Sequence, residues 1–192
     1  NGSKNSALPV LIATLLSREP FTIHNVPDLR DIRTTFRMLE HLGKKVRYDG
    51  GTARVQEGRR MLTSAPYALV KQMRASVLVA GPLLARFKRV RVPIPGGCAI
   101  GLRPIDIHLD GFRSLGGRVS ALSGDVLIRA RSLKAATVRL RFASVGATEN
   151  LLMAAALIPG ETVLENAARE PEIADLAELL NRMGARVEGA GG

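Results

Sequence analysis

The sequence predicts an α/β domain built as a pseudo-threefold repeat, with apolar helices inside and sheets outside. Three observations predict it. Three segments of about 70 residues, near 1–70, 71–142 and 143–192, run through the same succession of elements. Each opens on a helix that is apolar almost all round in at least the first and third copies, and such a helix must be buried on every side. Each reaches a glycine step after its second helix, at Leu42-Gly43-Lys44, Leu115-Gly116-Gly117 and Met183-Gly184-Ala185, where a left-handed glycine is the usual stop. At 192 residues the chain has enough material for one well-buried domain. An ordinary layered α/β domain is the alternative that repeat counting alone leaves open.

The first repeat reads as an inner helix over Ala7–Leu16, a strand over Phe21–Val26 and a loop ending at Asp31. An amphipathic helix follows, with Ile32, Phe36, Leu39 and Leu42 at helical spacing. Strands Val46–Tyr48 and Ala53–Gln56 flank the turn at Gly50-Gly51. The second repeat has an inner helix over Ser76–Arg86, a strand over Val90–Ile94, a loop ending at Asp106, and strands Val119–Leu122 and Val126–Arg129 around Gly124. In the third, the inner helix is Thr148–Leu157, the strand Glu161–Glu165, and the loop Arg169–Asp175. Its second helix carries Ile173, Leu176, Leu180 and Met183 on one face. The units are βαβαββ-like, and the third copy stops at its turn. With a start at Asn1 and an end in Gly-Ala-Gly-Gly, the expectation is a fragment of a longer protein.

The segment from Pro93 to Pro104 holds the single cysteine, Cys98, together with three glycines and three prolines. That composition excludes a long regular element. The thiol is flanked by Gly97 and Ala99, and Arg103 brings a fixed cation near it, which lowers a thiol's pKa. Lone cysteines are often packing residues, but a core position has little need of so much backbone freedom. A chemical role for Cys98 is therefore predicted.

Lys4, Arg74 and Gly146 occupy equivalent places at the first turns of the three inner helices. A cation there opposes the helix dipole unless an anion sits between the helix ends. The free N–H groups at Ser144-Val145-Gly146 would serve the same anion. Phosphate binding where helix N-termini converge is the reading these positions support.

The formal net charge is +11, which favours anionic partners. Tyr and Phe number two and five, with no Trp, poor material for stacking bases, so a basic nucleic-acid-binding module is the weaker alternative. The longest apolar runs, Ala75–Ala85 and Leu151–Pro159, are too short to span a bilayer. One cysteine allows no internal disulfide and fits a reducing compartment. No secretory leader pattern opens the chain.

In this order, Ser3-Lys4-Asn5-Ser6-Ala7-Leu8-Pro9, Met73-Arg74-Ala75-Ser76, Pro95-Gly96-Gly97-Cys98-Ala99-Ile100-Gly101, Arg103-Pro104-Ile105-Asp106, Ser144-Val145-Gly146-Ala147-Thr148 and Glu165-Asn166-Ala167-Ala168-Arg169-Glu170-Pro171-Glu172 resemble the enolpyruvyl transferases, in particular the branch that acts on UDP-N-acetylglucosamine. The resemblance covers essentially the whole chain. It implies the inside-out α/β barrel of that family, and a second domain of the same architecture missing from this chain. It also implies a cytoplasmic transferase of peptidoglycan synthesis, tied to cell shape and division and a target of fosfomycin, working without cofactor or metal. The substrates implied are phosphoenolpyruvate and UDP-N-acetylglucosamine. Cys98 matches the proton donor, which also forms a covalent adduct with phosphoenolpyruvate. Lys4 and Asn5 match residues that hold phosphoenolpyruvate. Arg74 and Arg103 match arginines near its charges and the nucleotide sugar. Pro104, Ile105, Asp106, Ile107, Phe142, Ala143, Ser144, Val145 and Gly146 match segments contacting the sugar nucleotide. The shikimate-pathway enolpyruvyl transferase is the alternative within the family; it lacks the Cys loop.

Two departures stand out. Many members carry a lysine where Phe142 stands, and Arg141 could replace it only if it did not alternate to the other side of a strand. The carboxylate that activates the sugar hydroxyl belongs to the missing domain, so no residue here takes that role.

Overall fold

The computed structural model describes residues 2–94, 105–122 and 124–192, without the side chains of Arg74 and Leu122. The first unit contains α1 (Lys4–Ala13), extended by a 3-10 turn over Thr14–Leu16, then β1 (Phe21–Ile23), α2 (Arg30–His41), β2 (Lys44–Asp49) and β3 (Thr52–Glu57). The second contains α3 (Tyr67–Val70), a 3-10 segment over Arg74–Val79 running into α4 (Ala80–Phe87), β4 (Arg89–Pro93), α5 (Asp106–Ser114), β5 (Arg118–Leu122) and β6 (Asp125–Arg129). The third contains β7 (Thr137–Arg139), α6 (Val145–Ala155), β8 (Val163–Glu165) and α7 (Pro171–Arg182).

The sheets repeat one pattern. The strand after each of the first two inner helices is the edge partner of a hairpin's second strand: β1 pairs antiparallel with β3, Phe21 opposite Val55, and β4 with β6, Val90 opposite Ile128. The sheet orders are β1-β3-β2 and β4-β6-β5. The third sheet pairs β7 parallel with β8, Val138 opposite Leu164. A matching parallel bridge joins Ser64 to Arg91 beside β4, with Arg91 N–H donating to the Thr63 carbonyl at 2.8 Å. Extended chain therefore precedes the second and third inner helices and pairs parallel with the strand after them, as a single bridge at Ser64 in the second unit and as strand β7 in the third. A parallel pair needs such a crossover.

Beyond their first turns the inner helices have no exposed residue. Leu11, Ile12, Leu15, Leu83, Leu84, Leu151 and Met153 are fully buried. These helices pack on one another and on the outer helices α2, α5 and α7, while the sheets lie outside, as the sequence predicts. Among the described residues no sheet closes into a barrel; three separate sheets surround the helices. The glycine steps hold as well: Gly43, Gly116 and Gly184 have φ of 106°, 93° and 100°, values that favour glycine.

Three expectations on extent are corrected. The first strand stops at Ile23, because Asn25 turns to φ 59°. The second inner helix starts as a 3-10 segment rather than as α-helix. The third loop ends earlier than Asp175, because Pro171 already opens α7 and Glu172 is the acid of its first turn.

At the far ends of the inner helices the orphan carbonyls meet cations. Arg86 donates to the carbonyls of Leu15 and Ser17 at 3.2 and 3.3 Å, and Lys44 Nζ to Ser17 at 2.7 Å. Both pair with Glu57, Arg86 through two bonds of 2.5 and 2.8 Å. This cluster ties together the C-terminal ends of the first two inner helices and the end of β3.

Candidate active site

The predicted helix starts are where the repeat places them. Lys4 is the first residue of α1, Arg74 the first of the 3-10 segment, and Gly146 the second of α6. The preceding residues Ser3, Met73 and Ser144 are all extended, as N-caps are. Ser144 caps α6 by accepting from Ala147 N–H at 3.3 Å. Ser3 makes no such bond, so among the described residues no N-cap side chain closes the first turn of α1.

Lys4 and Asn5 are exposed. The Lys4 ammonium lies 3.2 Å from Asp31 in the first turn of α2. Sequence reading singled out Asp31 as the acid ending its loop, but missed this pairing. Beside Ser3 and Ser6 an open groove of about 460 Å³ runs between α1, β1 and α7. Its lining includes neither Lys4 nor Asn5.

A second wall joins α5 to the start of α6. Asp106 accepts from the N–H of Ile107 at 3.0 Å and from the guanidinium of Arg141, which also reaches Asp110 at 3.5 Å. The expectation that Arg141 points away along a strand is overturned: β7 ends at Arg139, and Arg141 lies in the bend that follows. Its guanidinium holds the Asp106 carboxyl below the usual carboxylate range. Phe142 and Ala143 are exposed, Ser144, Val145 and Gly146 half-buried, and Ile107 buried. His108 lies under this turn: a Cβ added to Gly146 would sit 3.5 Å from its Cε1. So Ile105, Asp106 and Ile107 share one wall with residues 142–146. No hydrogen bond or ion pair among the described residues joins that wall to Lys4 or Asn5.

Cys98, Arg103 and Pro104 lie outside the described residues, as does the side chain of Arg74. Sequence reading passed over two buried polar groups behind the wall. His108 is pushed down to about 4 by desolvation, against the raising effect of Asp106. Glu149, 4% exposed, is pushed up to about 8 by burial and by the charges of Glu172 and Glu170.

A family model described as EPSP synthase (3-phosphoshikimate 1-carboxyvinyltransferase) matches residues 1–192. The chain belongs to the EPSP synthase family. Among curated relatives of this family, the UDP-N-acetylglucosamine 1-carboxyvinyltransferase of Elusimicrobium minutum is 58% identical over 187 residues, covering 97% of this chain and 44% of its own length. That of Endomicrobium trichonymphae is 53% identical over 192 residues, covering 100% and 46%. The chain thus spans about half the length of the curated relatives it matches. Of solved structures, the enolpyruvyl transferase NikO from Streptomyces tendae superposes with a TM-score of 0.86 at 23% identity, over 100% of this chain and 45% of that one. EPSP synthase from Acinetobacter baumannii superposes with a TM-score of 0.73 at 19% identity, over 98% and 44%. At these identities the likeness is one of fold, and the fold is that of the enolpyruvyl transferases. No helix among the described residues is long and apolar enough to cross a membrane.

Proposed function

We propose that this chain is the Cys98-bearing half of an enzyme that transfers the enolpyruvyl group of phosphoenolpyruvate to the 3-hydroxyl of UDP-N-acetylglucosamine and releases phosphate. The observation that carries the reading is 52–58% identity, over essentially the whole chain, to proteins bearing that name. The repeat geometry supports it. Two highly anionic substrates need fixed cations and unpaired N–H groups, which offset repulsion and stabilise developing charge. Residues 1–192 form a single domain of three repeats, and the other half of the protein supplies a second wall and the carboxylate that activates the hydroxyl. The enzyme is cytoplasmic, serves the first committed step of peptidoglycan synthesis, and takes no cofactor.

In this reaction the Cys98 thiol delivers a proton to the methylene carbon of phosphoenolpyruvate, and the sugar oxygen bonds to the adjacent carbon as its own proton leaves. The resulting ketal loses a proton from the new methyl group and breaks its carbon–oxygen bond to phosphate. Lys4 and Asn5 hold phosphoenolpyruvate, and Arg74 and Arg103 stand near its charges and the nucleotide sugar. Pro104, Ile105, Asp106, Ile107 and residues 142–146 hold the sugar nucleotide. Arg141, drawn to Asp106, places a cation beside the position where Phe142 replaces the lysine of many relatives.

The test is phosphate release by the full-length protein from phosphoenolpyruvate, with UDP-N-acetylglucosamine or with 3-phosphoshikimate as acceptor. Release with the sugar nucleotide alone is expected. Release with 3-phosphoshikimate instead would move the protein to the activity named in the family's own description. An epoxide phosphonate such as fosfomycin should add its mass once, at Cys98, when the sugar nucleotide is present.

A further inference from the structure

Asn150 is fully buried on α6 and stands where three helices meet. In a continuous α-helix the N–H of Gly81 would donate to the carbonyl of Val77, four residues back. Here it donates to Asn150 Oδ1 at 2.5 Å, and Asn150 Nδ2 donates to the Val77 carbonyl at 3.0 Å. The side-chain amide is spliced into the ladder of the second inner helix. The splice lies where that helix changes from 3-10 to α, and insertion into a ladder is a recognised cause of such breaks. Gly81 makes the approach possible, since a Cβ there would meet the Asn150 carbonyl oxygen at 2.2 Å.

The two backbone partners settle which way the amide faces: the oxygen must point to an N–H, the nitrogen to a carbonyl. The remaining amide hydrogen faces His108 Nδ1 at 3.0 Å. That nitrogen must then offer a lone pair, so the imidazole carries its hydrogen on Nε2, on the side of Gly146. One side chain thereby ties together the 3-10 segment that begins at Arg74, helix α5 that begins at Asp106, and helix α6 that begins at Val145. These are the helix starts assigned above to the sugar nucleotide. Those assigned to phosphoenolpyruvate, on α1, make no hydrogen bond with Asn150 among the described residues.

We propose that Asn150 is a positioning residue. By bridging Val77, Gly81 and His108 it fixes the register in which these three helix starts face the sugar nucleotide. The inference rests on the function proposed above. Its test has two arms on the full-length protein. In the first, long-range ¹H–¹⁵N spectra of histidine-labelled protein at pH 7 report the His108 tautomer. The Nε2–H form is expected in the parent and its loss in Asn150→Asp, which keeps the acceptor for Gly81 and loses both donors. A parent imidazole carrying its hydrogen on Nδ1 overturns the bridge.

In the second arm, Asn150→Asp should raise KM for UDP-N-acetylglucosamine roughly tenfold. Both kcat and KM for phosphoenolpyruvate should stay within about threefold. Equal losses toward both substrates, or none, overturn the positioning role. Asn150→Ser, which keeps a small hydroxyl, replaces the Asp variant if that one does not fold, with the same expected split. Should the parent protein fail to use the sugar nucleotide at all, the functional reading falls, while the spectra still decide whether the bridge exists.

Discussion

Gly81 has almost no latitude. Its missing side chain is the space in which the backbone of Asn150 lies, and backbone, unlike the tip of a flexible side chain, does not yield cheaply. Gly81→Ala should cost about 1–3 kcal/mol of stability, read from urea unfolding. Glu149 yields a prediction in the opposite direction. Its folded pKa, about 8, lies above its ordinary value of 4.5, so between those limits the native state holds a proton that the unfolded chain has lost. Stability therefore falls as pH rises through that window. Glu149→Gln removes the penalty. The variant should match the parent near pH 4 and become progressively more stable above it, by at most about 1.4 kcal/mol per pH unit up to pH 8. Identical unfolding curves at pH 4 and pH 8 would mean that Glu149 is already ionised. For the proposed acid, Cys98→Asp should keep more transferase activity than Cys98→Ser and work best at lower pH than the parent. A serine hydroxyl has the thiol's size but is far too weak an acid, whereas a carboxylic acid can deliver a proton once it carries one. The reading is overturned if the Ser variant matches the parent in a pH–rate profile.

Helices and strands differ in how openly the chain declares them. The inner helices announce themselves because an apolar run such as Leu8–Leu16 has only one place to go. The outer helices do so through the spacing of Ile32, Phe36 and Leu39 or of Ile173, Leu176 and Leu180. The glycine stops were equally plain. Strand ends were not: Asn25 and Asn166 adopt φ of 59° and 56° just beyond β1 and β8, and asparagine tolerates that region without demanding it. The change from 3-10 to α-helix at Ala80 has no local sign, because the side chain that bonds to Val77 and Gly81 across it, Asn150, lies 69 residues from Gly81. The Arg141 pairing escaped notice because one bend after β7 reverses the side a strand would have given it. The cluster at the other end of the helices makes a separate prediction. Glu57 satisfies Arg86 and the wholly buried ammonium of Lys44. Glu57→Gln should destabilise by about 3 kcal/mol, since it leaves the buried Lys44 ammonium and the partly buried Arg86 guanidinium without a counter-charge. Arg86 lowers the Glu57 pKa, so the stabilisation is present above the ordinary carboxylate range and is lost as pH falls through the depressed value. The gap between parent and variant in urea unfolding should close accordingly; a gap that persists in acid would assign the cost to packing instead.

For the molecule as a whole, hydrogen bonds and ion pairs tie the C-terminal ends of the first two inner helices together, and the residues proposed to bind substrate lie at helix starts. The proposed reaction needs a second wall to exclude water and place the hydroxyl, so residues 1–192 alone should release phosphate from the two substrates at background rate. A turnover number of ordinary enzymatic size would mean that this half suffices. The three sheets are unequal, and the inequality has a dynamic consequence. Residues 21–23 and 89–93 each lie against a hairpin, whereas residues 163–165 have only a three-residue parallel neighbour among the described residues, too little for independent stability. Local opening follows the least supported hydrogen bonds. In this chain the amides around Val163 should therefore take up deuterium well before those around Val90 or Val55, marking the third sheet as the first part of the domain to come undone.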